Sequence, residues 1–455
     1  MFDAAGWLRK SLAVRLVFPC ALALLAACRG SKPATTPPAP PAATAQSDLP
    51  TTVEAPAPDP WVPDTTGSAA PPNSEDAAEV RALPYLQGYR PAEDLPVVTD
   101  YDPDAASPGL NLYVSGHAAE AVLMGMDGQP RHFWRQPLRR LWPDLAKDPE
   151  AAKVEYWRRV YLYPNGDLLA IYEGLGLVKL DAQSRVLWAR QGGFHHDLEV
   201  SDDGRIYVLE REAKLLPRIN PRRGVFEEFV TVLDPAGNPL QRISILEALE
   251  RSPSNSRLQR MRRAGDIFHT NTLEILDGRF ASRLPALRKG NILLSIRELD
   301  LLAVLDPERQ QVVWTMTGPW HRQHQPTFLE NGHLLLFDNL GANRQRDRSR
   351  VLEVDPVTGK IVWQYGHQKK RFFSKTLGSC QGLPNGDILI TDSHGGRAIE
   401  VTRDRRVVWQ FNNPHRAGDH GELVAALFDL VRLPQDFPYR GDGNPGTEEG
   451  RRAAP

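Results

Sequence analysis

Three cysteines in 455 residues leave almost nothing for a disulfide framework. With Cys20 leaving in the N-terminal leader and the thiol of Cys28 expected to be acylated, Cys380 is the one thiol left and no internal bridge is expected in that mature chain, even in a compartment that would permit one. An excess of charge of one sign is also missing. Fifty-five Lys and Arg against 56 Asp and Glu give a net charge of −1, which removes the electrostatic case for a nucleic-acid partner. No long apolar run occurs after Leu16 to Leu25. That run follows Arg9, Lys10 and Arg15 and reads as an export signal too short for a stable membrane span.

What is present begins with Leu25-Ala26-Ala27-Cys28, which resembles the bacterial lipobox. The expectation is cleavage before Cys28, lipidation of its thiol, and a membrane attachment through that anchor; plain cleavage to a soluble exported protein is the alternative. Arg29 stands where an aspartate would favour inner-membrane retention, so the expected place is the cell envelope, in the periplasm or at the outer membrane. From Ser31 to about Pro84 the chain is mostly Pro, Ala, Thr and Ser, too poor in large apolar residues to fold. The organisation reads as a signal peptide over 1–27, a disordered tether over 28–104, a folded body over 105–440 and a disordered tail over 441–455.

The body repeats itself. Asp127, Asp181, Asp234, Asp306, Asp355 and Asp404 each follow an apolar stretch and precede a short strand that usually ends in tryptophan, as at Trp134, Trp188, Trp314, Trp363 and Trp409. Between them lie turns at Asn165-Gly166, Asp203-Gly204, Lys289-Gly290, Asn331-Gly332 and Asn385-Gly386. Asn331-Gly332 is read as a type I′ turn with two positive-φ positions. Two hairpins per period make four strands, which predicts an all-β fold: a six-bladed β-propeller with four antiparallel strands per blade. One blade lacks a strand, and Leu427 to Pro434 is expected to supply it beside Leu110 to Val114, closing the ring. Ile243 to Arg263 reads as one or two short helices broken around Pro253, inserted at a blade crossing as a lid or a decorated loop.

His324 lies seven residues before Asn331, and His196 seven before Asp203, so the two occupy equivalent places in the repeat. Arg158 holds that place before Asn165, and is a candidate anion contact. His195, one residue off register, is expected on the opposite side of its strand with a structural role. Cys380 and His394 are read as a buried hydrophobe and a turn residue.

The stretches Asp266-Ile267-Phe268-His269-Thr270-Asn271-Thr272-Leu273-Glu274, Ile292 to Arg297, Gln323-His324-Gln325-Pro326 and Cys380 to Gly386 resemble the PAPS-independent arylsulfate sulfotransferase family. The resemblance implies transfer of a sulfuryl group from an aryl sulfate to a phenol by a ping-pong route through a sulfohistidine. It implies His324 as nucleophile, supported by His196, His269 and Arg297; Arg158, from its register position, and Asn271, beside His269, are candidate substrate-binding residues. Neutral imidazole is a good nucleophile near pH 7, and a guanidinium fork matches two sulfuryl oxygens. The expected partners are small phenols and aryl sulfates; no cofactor and no metal is expected, and protein partners are left open. Two rivals stand beside this reading. One is a histidine-ligated metalloenzyme, against which Arg297 argues; the other is a non-catalytic envelope scaffold.

Overall fold

Four short strands in succession, joined by tight turns, recur along the computed structural model, which describes residues 87–341, 348–366 and 372–439. The expected leader, Cys28 and the tail over 441–455 lie outside the described residues. Sheet 1 orders Leu427–Leu433, Leu110–Ser115, Glu120–Met124 and Pro130–Arg135. Sheet 2 runs Trp157–Leu162, Leu168–Tyr172, Gly176–Leu180 and Val186–Gln191; sheet 3 runs Phe194–Val200, Ile206–Lys214, Val225–Leu233 and Pro239–Ser244. Sheet 4 holds Thr270–Ile275, Ile292–Ile296, Leu301–Asp306 and Gln311–Thr317; sheet 5 holds His324–Phe328, Leu334–Asp338, Arg350–Val354 and Ile361–Tyr365. Sheet 6 holds Ser379–Gly382, Ile388–Asp392, Arg397–Val401 and Val407–Asn412. The C-terminal strand pairs antiparallel with Leu110–Ser115. Each first strand touches the first strand of the next sheet, and that of sheet 1 touches that of sheet 2.

The turns explain the repeated residues. Between third and fourth strands the aspartate side chain accepts backbone N–H groups of its own turn: Asp181 from Gln183 and Arg185 at 2.9 Å each, Asp234 from Ala236 at 2.9 Å and Asn238 at 2.8 Å. The tryptophans reach the next sheet. The indole N–H donates from Trp134 to Gly166 O (3.0 Å), from Trp188 to Pro235 O (3.2 Å), from Trp363 to Arg403 O (2.8 Å) and from Trp409 to Met126 O (2.8 Å).

A first strand is hydrogen-bonded to a strand on one side only, which leaves backbone groups on the other in need of partners. Side chains of adjacent first strands supply them. Asp197 accepts from Leu273 N at 3.1 Å, Thr272 Oγ1 from Gln325 N at 3.0 Å and Glu274 from Phe328 N at 3.2 Å. Gln381 both donates to Arg432 O at 2.9 Å and accepts from Arg432 N at 2.8 Å. Arg159 binds Asp197 at 2.8 Å and also Asp429, whose other oxygen accepts from Ser379 Oγ at 2.7 Å. Apolar cores fill the space between neighbouring sheets, as Leu335, Phe337, Ile388 and Ile390 do between sheets 5 and 6.

Three expectations change. The tether does not extend to residue 104: Gly88–Pro91 pairs with Leu423–Ala425, and Val98–Tyr101 lies against Val407–Asn412 as a fifth strand of sheet 6. Backbone pairing on an open edge recruits a segment whose composition alone gave no strand signal. Asn331-Gly332 is not a type I′ turn, because Gly332 takes φ 80° while Asn331 stays in the negative-φ region. Gly332 N donates to Leu329 O at 2.9 Å, and Asn331 Oδ1 accepts from His333 N at 2.9 Å, as in a type I turn followed by a glycine bulge. Lys289-Gly290 is no tight hairpin, since a connection containing the 3₁₀ turn Pro285–Leu287 separates its strands. The insertion is a helix, Ile245–Glu250, then a 3₁₀ turn, Asn255–Arg260. Ile245, Leu246, Ala248 and Leu249 are fully buried, and the helix packs on Val225–Leu233 and Gln311–Thr317, wedging sheets 3 and 4. Among the described residues no helix is long and apolar enough to cross a membrane.

Candidate active site

The first strands are irregular where they begin. Register shifts fall between Trp157 and Arg159, Phe194 and Leu198, Thr270 and Thr272, and His324 and Thr327. His196, His269 and Gln325 have φ of 55°, 49° and 45°. Such bulges interrupt the two-residue alternation and re-aim side chains. They bring the sequence-predicted residues together: the rings of His196 and His269 meet edge to face with centroids 4.7 Å apart, and both lie within the electrostatic reach of arginines that also act on His324.

His324 is 2% exposed. Its Nδ1 faces two acceptors, Asn339 Oδ1 at 2.7 Å and Arg322 O at 3.0 Å, so Nδ1 carries the proton and Nε2 keeps its lone pair. That Nε2 is buried with no hydrogen-bond partner. Burial first, then the Arg297 charge, holds the imidazole well below its usual pKa, whereas the bond to Asn339 works the other way.

Arg297 does not lie within a strand as expected; it opens the 3₁₀ turn Arg297–Leu299 after Ile292–Ile296. It is 7% exposed, Nη1 binds Glu298 at 2.6 Å, and its buried Nε has no hydrogen-bond partner. Arg158 is buried, 5.8 Å from the centroid of Phe428, and its charge depresses both His196 and His324.

His269 has a carboxylate. Asp266 accepts from its backbone N at 2.9 Å through Oδ1 and pairs with its Nδ1 at 2.5 Å through Oδ2. Burial lowers the His269 pKa; Asp266 opposes that shift and Arg297 adds to it. The backbone N–H of His196 donates to Glu173 Oε2 at 3.1 Å. Asn271 meets protein instead of open space. Its amide donates to Gln323 O at 2.8 Å, one residue before His324, and its Oδ1 accepts from Thr272 Oγ1 at 3.2 Å. His195 is not turned away by strand alternation: its Nδ1 lies 2.8 Å from Nδ1 of His196, because the bulge puts both rings on one side. Cys380 is buried, and burial raises its thiol pKa; His394 is stacked 3.5 Å from Tyr89.

Sequence reasoning missed Asp266, Asn339, Glu173 and Arg211. Asn339 was legible, since folding the chain back about the Asn331 turn pairs His324 with Phe337 and leaves Asn339 just beyond. Glu173, in the turn after Leu168–Tyr172, and Arg211, in Ile206–Lys214, carry no local mark.

Among the described residues, two groups bring three possible metal ligands within 4.8 Å: Glu173 with His195 and His196, and Glu120 with His117 and His415. In the first, Arg211 lies 3.5 Å from Glu173 and already neutralises the carboxylate a cation would need. In the second, the imidazoles stack 3.5 Å apart at 3°, so their in-plane lone pairs run parallel and do not converge on one ion.

Solved structures similar to the chain include a protein of unknown function from Bacteroides caccae, at 14% identity and TM-score 0.45, covering 71% of this chain and 98% of that one. The WD40 β-propeller domain of Doa1 is 12% identical with TM-score 0.40, covering 76% and 96%. BamB from Moraxella catarrhalis is 11% identical with TM-score 0.32, covering 69% and 76%. None of the curated proteins matches the chain. The family model described as Arylsulfotransferase (ASST) matches residues 160–414, a span that contains Asp266, Arg297 and all three histidines, and the chain belongs to that family.

Proposed function

We propose that the six sheets are blades of a closed six-bladed propeller, and that its buried histidine site moves a sulfuryl group from an aryl sulfate to a phenol by a ping-pong route. The carrier is His324. The observation that carries this reading is its Nε2: buried, unpartnered, with the proton fixed on the opposite nitrogen by Asn339 and the Arg322 carbonyl. A neutral imidazole in that state attacks without first losing a proton, and Asn339 receives the N–H whose acidity rises when Nε2 binds sulfur. Arg297 and Arg158 place fixed positive charge around the sulfuryl oxygens. A loose transition state redistributes charge onto these oxygens, so position and electrostatics supply most of the rate, by analogy with phosphoryl transfer.

Asn271 acts one step back from the substrate, holding the Gln323 carbonyl and so the entry of the His324 strand. A scaffold has no use for an orphaned buried imidazole nitrogen, which is costly to keep. The leader fits an envelope protein lipidated on Cys28 with its body in the periplasm or at the outer membrane; Cys28→Ser is expected to abolish membrane partition, and equal partition of mutant and parent refutes it.

The decisive experiment is incubation with a chromogenic aryl sulfate and no nucleotide. Phenol release up to one equivalent and an acid-labile adduct on His324, cleared by a second phenol, are expected. An undiminished adduct in His324→Asn, or kinetics that require both substrates bound together, refutes the assignment.

A further inference from the structure

Two connections beside the histidine strands hold eight arginines and neither an aspartate nor a glutamate: residues 215–224, which join the second and third strands of sheet 3, and residues 251–264, which lead towards the first strand of sheet 4. The whole chain carries −1, so this excess is local. Both connections lie at the end of the sheets where His196, His269 and His324 enter, because in an antiparallel meander the start of the first strand sits beside the end of the second, as Phe194 does beside Glu210 and Thr270 beside Ile296. The second and third strands of sheet 3 stay paired beyond that point, to Lys214 and Val225, which carries residues 215–224 about 13 Å further out.

The two connections run side by side: Asn220 Nδ2 donates to Arg263 O and Gly265 N to Gly224 O, each at 2.9 Å. A cleft of about 390 Å³ opens between them, lined by Arg218, Ser256, Gln259 and Arg263. Glu250 neutralises Arg218 at 3.2 Å and Glu247 reaches Arg251 at 3.4 Å. Arg222, Arg260, Arg262 and Arg263 are exposed and meet no carboxylate among the described residues. The patch reaches the site: burial first, then the charges of Arg297 and Arg262, lower the pKa of Arg322 against Glu298 and Asp300, two residues before His324. Within the projecting connection Leu215 is 40% exposed, and Pro217 and Pro221 are exposed too. A soluble polyanion would leave Leu215 in water, whereas a bilayer takes both kinds of group, phosphates on the guanidinium groups and the leucine at the acyl boundary.

We infer that this rim is a docking face for an anionic phospholipid bilayer, with Arg222, Arg260, Arg262 and Arg263 on the headgroups and Leu215 at the acyl boundary, so that the histidine end of the sheets faces the membrane. The inference stands apart from the sulfuryl-transfer reading and from lipidation of Cys28. An anchor raises the local concentration of bilayer without choosing which face of the body meets it.

The test is hydrogen exchange of the full-length protein with vesicles of phosphatidylcholine alone or with about one-third phosphatidylglycerol. Amides of residues 215–224 and 251–264 should exchange at least about five-fold more slowly on the anionic vesicles and be nearly unchanged on the neutral ones. Each arginine near an anionic leaflet strengthens binding about five-fold, so the combined variant R222E/R260E/R262E/R263E should lose the protection. Salt at about 0.5 M, where charges are screened within about 4 Å, should remove it from wild type. No protection on anionic vesicles, equal protection on both kinds, or protection that survives the salt and the four substitutions overturns the inference. Protection by dextran sulfate with none by anionic vesicles also overturns it, and makes the rim a site for a soluble polyanion. If the substituted chain does not fold, the lipid and salt comparisons on wild type decide.

Discussion

His324 and Arg297 are both buried, and the Arg297 charge acts on the His324 ring. In the proposed reaction the imidazole must stay neutral to attack, and the guanidinium must stay charged to hold oxygens. Burial and the Arg297 charge together push His324 well below its usual range. Adduct formation should therefore be level from about pH 6.5 upward, and a His324 step titrating at or above that value would contradict it. Arg297→Lys keeps the charge but loses the planar fork, and kcat should drop about 10²–10³-fold, the usual cost of removing one transition-state donor. The same shift has a stability sign. His195, His196 and His324 have folded pKa values below the unfolded one, so the unfolded chain takes up more protons, and stability is lost as pH falls below about 6.5. At this scale the sequence was informative but incomplete: histidine spacing pointed to His196 and His324, while Asp266, only three residues before His269, carried no periodic signal because its contact depends on a left-handed backbone at His269.

Between elements, carboxylates of one first strand satisfy the backbone of the next, and this brings a pH liability of the opposite sign. Glu274 accepts from Phe328 N, and its pKa is pushed up to about 8 by burial first and by Glu199 second. A carboxyl raised in the folded state costs stability as pH climbs from its unfolded value to its folded one. Glu274→Gln keeps an acceptor for Phe328 N without a charge. It should be close to neutral near pH 5 and stabilising near pH 9, by a few kcal/mol at about 1.4 kcal/mol per pKa unit. Thermal melts at the two pH values check this, and an equal effect at both contradicts it. The tryptophans offer a paired test. Trp409→Phe leaves the Met126 carbonyl without its indole donor in a part-buried setting and should cost about 1 kcal/mol or more, whereas the same change at Trp188, whose bond to Pro235 is exposed, should cost less.

For the whole molecule, sheet 1 is built from both ends of the body: Leu427–Leu433 supplies its first strand and Leu110–Ser115 the second. A chain stopped after Ala426 should therefore fail to fold cooperatively, leaving Leu110–Ser115 as a bare edge and removing Asp429 from Arg159. A single cooperative melt of the truncated chain, coincident by two probes, would contradict this. Along the chain, the aspartate and tryptophan repeats, the glycine turns and the alternating strands determined an all-β meander and the pairing of the two ends, because those features act within a hairpin or between adjacent sheets. The tertiary structure alone decided that residues 88–101 join the body, that the helix wedges sheets 3 and 4, and that His195 faces His196. It also decided which nitrogen of His324 is left open, through Asn339. Those outcomes depend on edges left unpaired and on bulges that break the two-residue alternation, and neither is visible until neighbouring strands meet.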